Sequence, residues 1–180
     1  QLFWTTYSFS AFIQIALGLS ALSAGAITVG RLWMRPIGAI LAGYLSDWTS
    51  RQLVLGALLF LGATLLLLFG GLGISWSGAP VVGLVLMIGL ITYGARGVFW
   101  ATLADCDVPD RVKGLAIGSL SLICYAPDVI QPLIEASLLG DSPSAGGYQT
   151  YYRWAAMVAL LGSGLALWLH QRVRGRQPNH

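Results

Sequence analysis

Runs of about 20 apolar residues follow one another along this chain, and that repetition constrains its fold more than any other feature. A hydrocarbon core roughly 30 Å thick is crossed by about 20 residues at 1.5 Å rise each. Of the 180 residues, 56% are hydrophobic and only 9% are charged, whereas soluble domains carry roughly a quarter charged residues. A mean hydropathy of +0.73 agrees with this. A water-facing surface cannot be assembled from such a composition, so the solvent is lipid. Because lipid offers no partner to a free backbone N–H or C=O, each run is read as a helix.

The runs place six spans at residues 2–15, 20–46, 53–71, 81–103, 114–136 and 152–170, an all-α integral membrane bundle. Residues 1–171 form the bundle and 172–180 a basic tail. The first run begins at Gln1, is short, and has no basic residues before it, so it reads as a helix cut by a fragment boundary and not as a signal peptide. Lys and Arg alternate between successive connections. Arg51, then Arg111 with Lys113, then Arg172, Arg174 and Arg176 fall on one side, with Arg153 on the other. The positive-inside rule makes the richer side cytoplasmic, together with the carboxyl terminus, in a bacterial inner membrane. Trp76, Tyr148, Tyr151, Tyr152 and Trp154 are expected at the opposite headgroup level. Glycines within the runs (Gly38, Gly43, Gly62, Gly83, Gly89, Gly94, Gly97, Gly118, Gly162, Gly164) predict close helix packing.

Composition also excludes functions. The formal charge of +3 is spread over the ends of apolar runs with no continuous patch, so nucleic acid is not a partner. Cys106 and Cys124 form no CxxC pair and lack neighbouring histidines, so both read as free thiols with no zinc site. Asp105, Asp107 and Asp110 beside Arg111 and Lys113 read as a solvated loop, and no metal or other cofactor is indicated.

At the end of the second run the sequence reads Gly43-Tyr44-Leu45-Ser46-Asp47-Trp48-Thr49-Ser50-Arg51. This resembles the Gly-x-Leu-x-Asp loop signature of the major facilitator superfamily, with Gly43, Leu45, Asp47 and Arg51 matching. Trp48 and Ser50 stand where the fullest pattern has a basic residue and a glycine. Arg35-Pro36-Ile37-Gly38, residues 93–101, Val108-Pro109, Gly114, Gly118 and residues 125–128 also look like a bacterial subgroup of that superfamily, so the similarity runs from about residue 27 to 152. The resemblance implies half of a twelve-helix fold, with the visible spans as helices seven (partial) to twelve. It further implies a missing N-terminal half, a solute site between the halves near the midplane, and alternating access. On this reading Asp47 is a conformational latch beside Gly43 and Arg51.

Ionised side chains at bilayer depth are costly and mark functional positions. Arg31 and Arg35, four residues apart, share a face of the second helix. Arg96 sits in the fourth, with Tyr93 and Trp100 on its stripe. The fifth carries Ser121, Cys124, Asp128, Gln131 and Glu135 at spacings of three and four, a polar stripe on a helix interrupted by Pro127 and Pro132. We therefore expect Arg31, Arg96, Tyr93, Trp100, Asp128 and Gln131 to contact a small polar, anionic organic solute, since an arginine fork suits a carboxylate. Asp128 or Glu135 would carry a coupling proton, and Pro127 and Pro132 would permit gating. The isolated fragment is expected not to transport. Two other classes were weighed. An intramembrane serine hydrolase would need Ser163 and His170 in contact, but seven residues of one helix separate them by about 10 Å. A non-transporting receptor or assembly subunit would hold the same charges in static pairs.

Overall fold

The computed structural model describes residue 5 and residues 8–71, 78–102, 108–140 and 144–174, excepting the side chains of residues 16, 17, 110 and 128. Six α-helices follow in order: α1 (Phe9–Leu17), α2 (Ala21–Trp48), α3 (Arg51–Gly71), α4 (Ala79–Ala101), α5 (Lys113–Leu139) and α6 (Ala145–Arg174). A 3-10 turn, Asp110–Val112, leads into α5. The molecule is an all-α membrane bundle, with no strand among the described residues.

Four of these helices, α3 to α6, are both long and apolar enough to cross a membrane. α2 has the length, at 28 residues, but Arg31 and Arg35 lower its hydropathy. α1 is 9 residues long, and most of the run preceding it lies outside the described residues. Ser20 starts α2 by accepting a hydrogen bond from the Ser23 N–H at 3.3 Å, which satisfies one of the orphan donors of a helix start.

Small residues hold the bundle together. Gly56, Ala63 and Gly70 are buried on α3 at spacings of seven, and Tyr152, Ala159 and Ala166 are buried at the same spacing on α6. A Cβ on Gly56 would lie 3.2 Å from Leu167, and one on Gly70 3.1 Å from Tyr152, so the two helices run antiparallel with their backbones close. Lipid supplies no hydrophobic drive between helices, so this contact rests on van der Waals packing and buried hydrogen bonds. One such bond is donated by the Ser163 hydroxyl to the Gly56 carbonyl across 2.8 Å. Ser163→Ala is expected to cost about 0.6 kcal/mol, and at most about 1.7, of bundle stability, measurable as a lower denaturing mole fraction of dodecyl sulfate.

α2 and α4 pack just as tightly but run parallel, because Gly30, Gly38 and Ala42 of α2 face Leu86, Leu90 and Gly94 of α4 in rising order. The helix ends at Trp48 and Ala101, the start of α3 at Arg51 and the end of α6 therefore share one side. A contact of 3.2 Å between Ser50 Oγ and His170 Nδ1 closes that side. Arg51, Arg172 and Arg174 lie there together. The glycines divide accordingly: Gly38, Gly89, Gly94, Gly97 and Gly162 meet a neighbouring helix or its side chains, whereas Gly43, Gly83, Gly118 and Gly164 face open space, against expectation.

The other end is closed by rings. Phe9 and Phe12 of α1 lie 4.8 and 5.0 Å from Phe69 of α3, and Phe12 lies 5.3 Å from Tyr152 of α6. Tyr148, Tyr151 and Tyr152, expected at the headgroup level, are buried in this cluster. Their spacing along α6 turns them inward on to α1 and α3. Trp154 is partly buried against the same cluster, and Trp76 lies outside the described residues. α5 stands apart, with Leu122 77% exposed and Leu133 68% exposed, so its apolar faces meet lipid or another partner.

Candidate functional site

α2 and α4 place a cationic cluster at the middle of the bundle. Arg31 is 2% exposed, and its stem passes over Gly89, where a Cβ would lie 2.5 Å from Arg31 Cγ. Only a residue without a side chain leaves that path clear. Gly89 is ten residues into α4, or about 15 Å from its start at 1.5 Å per residue, which is half the thickness of a hydrocarbon core. Arg31 Cζ lies 6.0 Å from the centroid of the Tyr93 ring, and Arg35 Cζ lies the same 6.0 Å from it. Both guanidiniums are within the range of cation–π attraction. Arg35 is exposed while Arg31 is enclosed, so one ring joins a buried charge to an exposed one on the same face of α2. Trp33, 71% exposed, and Ile40, 69% exposed, lie on the opposite side of the helix.

Arg96 belongs to a different place. With Trp100 it lines a cleft of about 490 Å³ between α3, α4, α5 and α6, whose wall also includes Thr92, Phe99, Cys124 and Tyr125. Neither Arg31 nor Tyr93 is part of that wall. Of the residues expected in one pocket, Arg31 and Tyr93 therefore lie together beside α2, while Arg96 and Trp100 line the cleft toward α6.

The polar stripe on α5 is used unevenly. Gln131 is 1% exposed, and its amide donates to the Tyr151 hydroxyl of α6 across 2.8 Å. Glu135 is half-buried one turn further on, near enough to interact with the same hydroxyl. Gln131 lies against α6 and not in the Arg96 cleft. Ser121 turns its hydroxyl on to the Ile117 carbonyl at 2.7 Å. Pro127 and Pro132 both lie inside a helix that stays continuous for 27 residues. Asp128 is in α5, with its side chain outside those described. The acidic stretch 103–107 and Cys106 are also outside the described residues, while Cys124 is a free thiol. Asp47 is exposed at the end of α2, Arg51 opens α3 half-buried, and Gly43 accepts a hydrogen bond through its carbonyl from Ser46 Oγ at 2.7 Å.

Sequence reasoning had no means of finding the Gln131–Tyr151 bond or the position of Thr92. Thr92 is 3% exposed, and its hydroxyl has no hydrogen-bond partner among the described residues. A threonine in an apolar run carries no sequence signal. Ser163 and His170, weighed as a hydrolytic pair, are engaged separately with Gly56 and Ser50.

No protein-family model matches the chain. It is 31% identical to the inner membrane protein YqcE of Escherichia coli over 48% of its length and 20% of that protein's. It is 24% identical to the probable galactarate/D-glucarate transporter GudP of the same organism, over 85% of its length and 35% of the transporter's. An uncharacterised protein of Mycoplasma pneumoniae is 26% identical over 93% of the chain and 84% of that protein. The chain thus spans between a fifth and about a third of the two Escherichia coli relatives. These similarities and the apolar helices describe a transporter-like membrane protein.

Proposed function

We propose that these helices form the second half of a major facilitator superfamily carrier that moves a small organic anion, and that Arg31 and Arg35 receive its carboxylates. The observation that carries this reading is the pair of guanidiniums about one ring at the middle of the bundle. A charge held at that depth has a functional role by default, and the arginine fork pairs two N–H groups with one carboxylate. Two arginines one helical turn apart suit a diacid, the chemistry named for the galactarate/D-glucarate relative. The loop signature around Asp47 and Arg51 adds the resemblance to the superfamily. In this reading the exposed face of α2 meets the other half, rocking of the halves opens Arg31 to each side in turn, and Pro127 and Pro132 let α5 flex. Glu135, beside Tyr151, or Asp128 carries a coupling proton. The basic end with Arg51, Arg172 and Arg174 is cytoplasmic, and so is the carboxyl terminus.

Proteoliposomes holding the complete carrier should accumulate radiolabelled D-glucarate saturably, faster with an inward proton gradient, while residues 1–180 alone should not. Absence of saturable uptake for every dicarboxylate tried would remove the reading. One observation favours a second possibility, a non-transporting receptor or assembly subunit: Arg31 is almost wholly enclosed, as a static structural charge would be. In that case glucarate binds or fails to bind, but never crosses.

A further inference from the structure

The cleft between α3, α4, α5 and α6 has the features of a ligand site in its own right. Its volume of about 490 Å³ lies within the range of about 300–1,000 Å³ usual for small-molecule pockets, which are apolar walls with a few convergent polar groups. Thr92, Arg96 and Trp100 recur every four residues of α4 and all three line it, so a hydroxyl, a guanidinium and an indole stand in one stripe. The Thr92 hydroxyl is buried there with no hydrogen-bond partner among the described residues. A buried donor left unsatisfied is expensive, and a ligand oxygen would satisfy it. Beyond this stripe the wall is mostly hydrocarbon and aromatic, with Leu55 and Leu59 of α3, Phe99, Tyr125, and Val158 and Leu165 of α6; the Thr102 hydroxyl on it already donates to the Phe99 carbonyl, and Cys124 adds a thiol.

We infer that this cleft binds an amphipathic carboxylate, a single anionic head on an aliphatic or aromatic body, with the head at Thr92 and Arg96 and the body against Trp100 and Phe99. A carboxylate accepts from both the hydroxyl and the guanidinium, which gives the charge-assisted hydrogen bonds that are strongest away from water. A polyhydroxylated diacid does not fit, because its hydroxyls would face Leu59, Val158 and Leu165 without partners and be desolvated at a cost. The site is distinct from the Arg31 cluster and does not depend on the carrier reading.

Cys124 on the wall reports occupancy. In a Cys106→Ser variant it is the remaining thiol of the two in the chain, and a bound ligand should slow its alkylation. The probes are decanoate, benzoate, decanol and D-glucarate, applied to the protein in lipid nanodiscs. Decanoate should protect Cys124 at a concentration at least about tenfold below decanol, and glucarate should not protect. Thr92→Val should raise the half-protecting concentration of decanoate about fivefold, and Arg96→Gln should erase the advantage over decanol, with Arg31→Gln leaving both unchanged. Protection by benzoate as well as decanoate indicates a water-borne ligand, and protection by decanoate alone a membrane-borne one; both support the site. Equal protection by decanol and decanoate in the unaltered cleft would overturn it, as would protection by glucarate alone. Those two comparisons need no further variant, so misfolding of Thr92→Val or Arg96→Gln leaves the inference open to refutation.

Discussion

Replacing Arg31 with glutamine is expected to lower dicarboxylate uptake at least about 25-fold while the bundle remains folded. Removing one partner of a buried, hydrogen-bonded charge pair costs about 2–5 kcal/mol of binding, and each 1.4 kcal/mol is a factor of ten. Glutamine keeps most of the stem that crosses Gly89 but removes the charge and the fork. Glutamine also removes a charge that is costly to keep out of water. Arg31→Lys should fall between the two, because an ammonium restores the charge without the planar fork or the stacking on Tyr93. Initial uptake rates together with dodecyl sulfate unfolding check both halves of the statement. A variant that unfolds early yet still transports would make Arg31 a structural strut.

The division between what was legible beforehand and what was not follows a physical line. Length and hydropathy located the helices because a bilayer imposes both, and α3, expected at 53–71, is observed as Arg51–Gly71. The alternation of Lys and Arg put Arg51, Arg172 and Arg174 on one side, and their shared end follows from parallel α2–α4 and antiparallel α3–α6 packing. Hydropathy says little, however, about which way a residue turns around its helix. Tyr148, Tyr151 and Tyr152 looked like an interfacial belt because aromatic residues near a helix start commonly are one. They are buried because Phe9, Phe12 and Phe69 arrive from two other helices. Arg31 and Arg96 were recognisable as exceptional for their charge alone. Their separation into two sites depends on the rotation of α4 between α2 and α6, which a one-dimensional pattern does not contain. Gln131 was legible as polar and not as the partner of Tyr151.

The glycines of the α2–α4 seam allow packing and function to be separated by adding one methyl group. In Gly38→Ala the new Cβ would collide with the Leu90 carbonyl and lie 3.2 Å from the Gly94 nitrogen. Both are backbone atoms of a helix and neither can turn aside, so α2 and α4 must move apart along a seam where a Cβ on Gly94 would likewise lie 3.1 Å from the Ala42 Cβ. Overpacking of this kind costs about 1–3 kcal/mol, and the upper part of that range is expected, seen as early unfolding in dodecyl sulfate. In Gly89→Ala the new Cβ meets Arg31 Cγ at 2.5 Å and Cδ at 3.4 Å, side-chain atoms near the root of the stem that clear it only if Arg31 shifts as a whole. The helix itself gains up to about 1 kcal/mol from alanine in place of glycine, which offsets part of that cost. The guanidinium, however, leaves its position over Tyr93, and displacement of a binding group by about 1 Å can cost as much as 100-fold. Gly89→Ala is therefore expected to be destabilised less than Gly38→Ala and to lose at least about tenfold in uptake. Full uptake by a well-folded Gly89→Ala protein would mean that the orientation of Arg31 is immaterial, and the anion seat would then have to be sought elsewhere in the bundle.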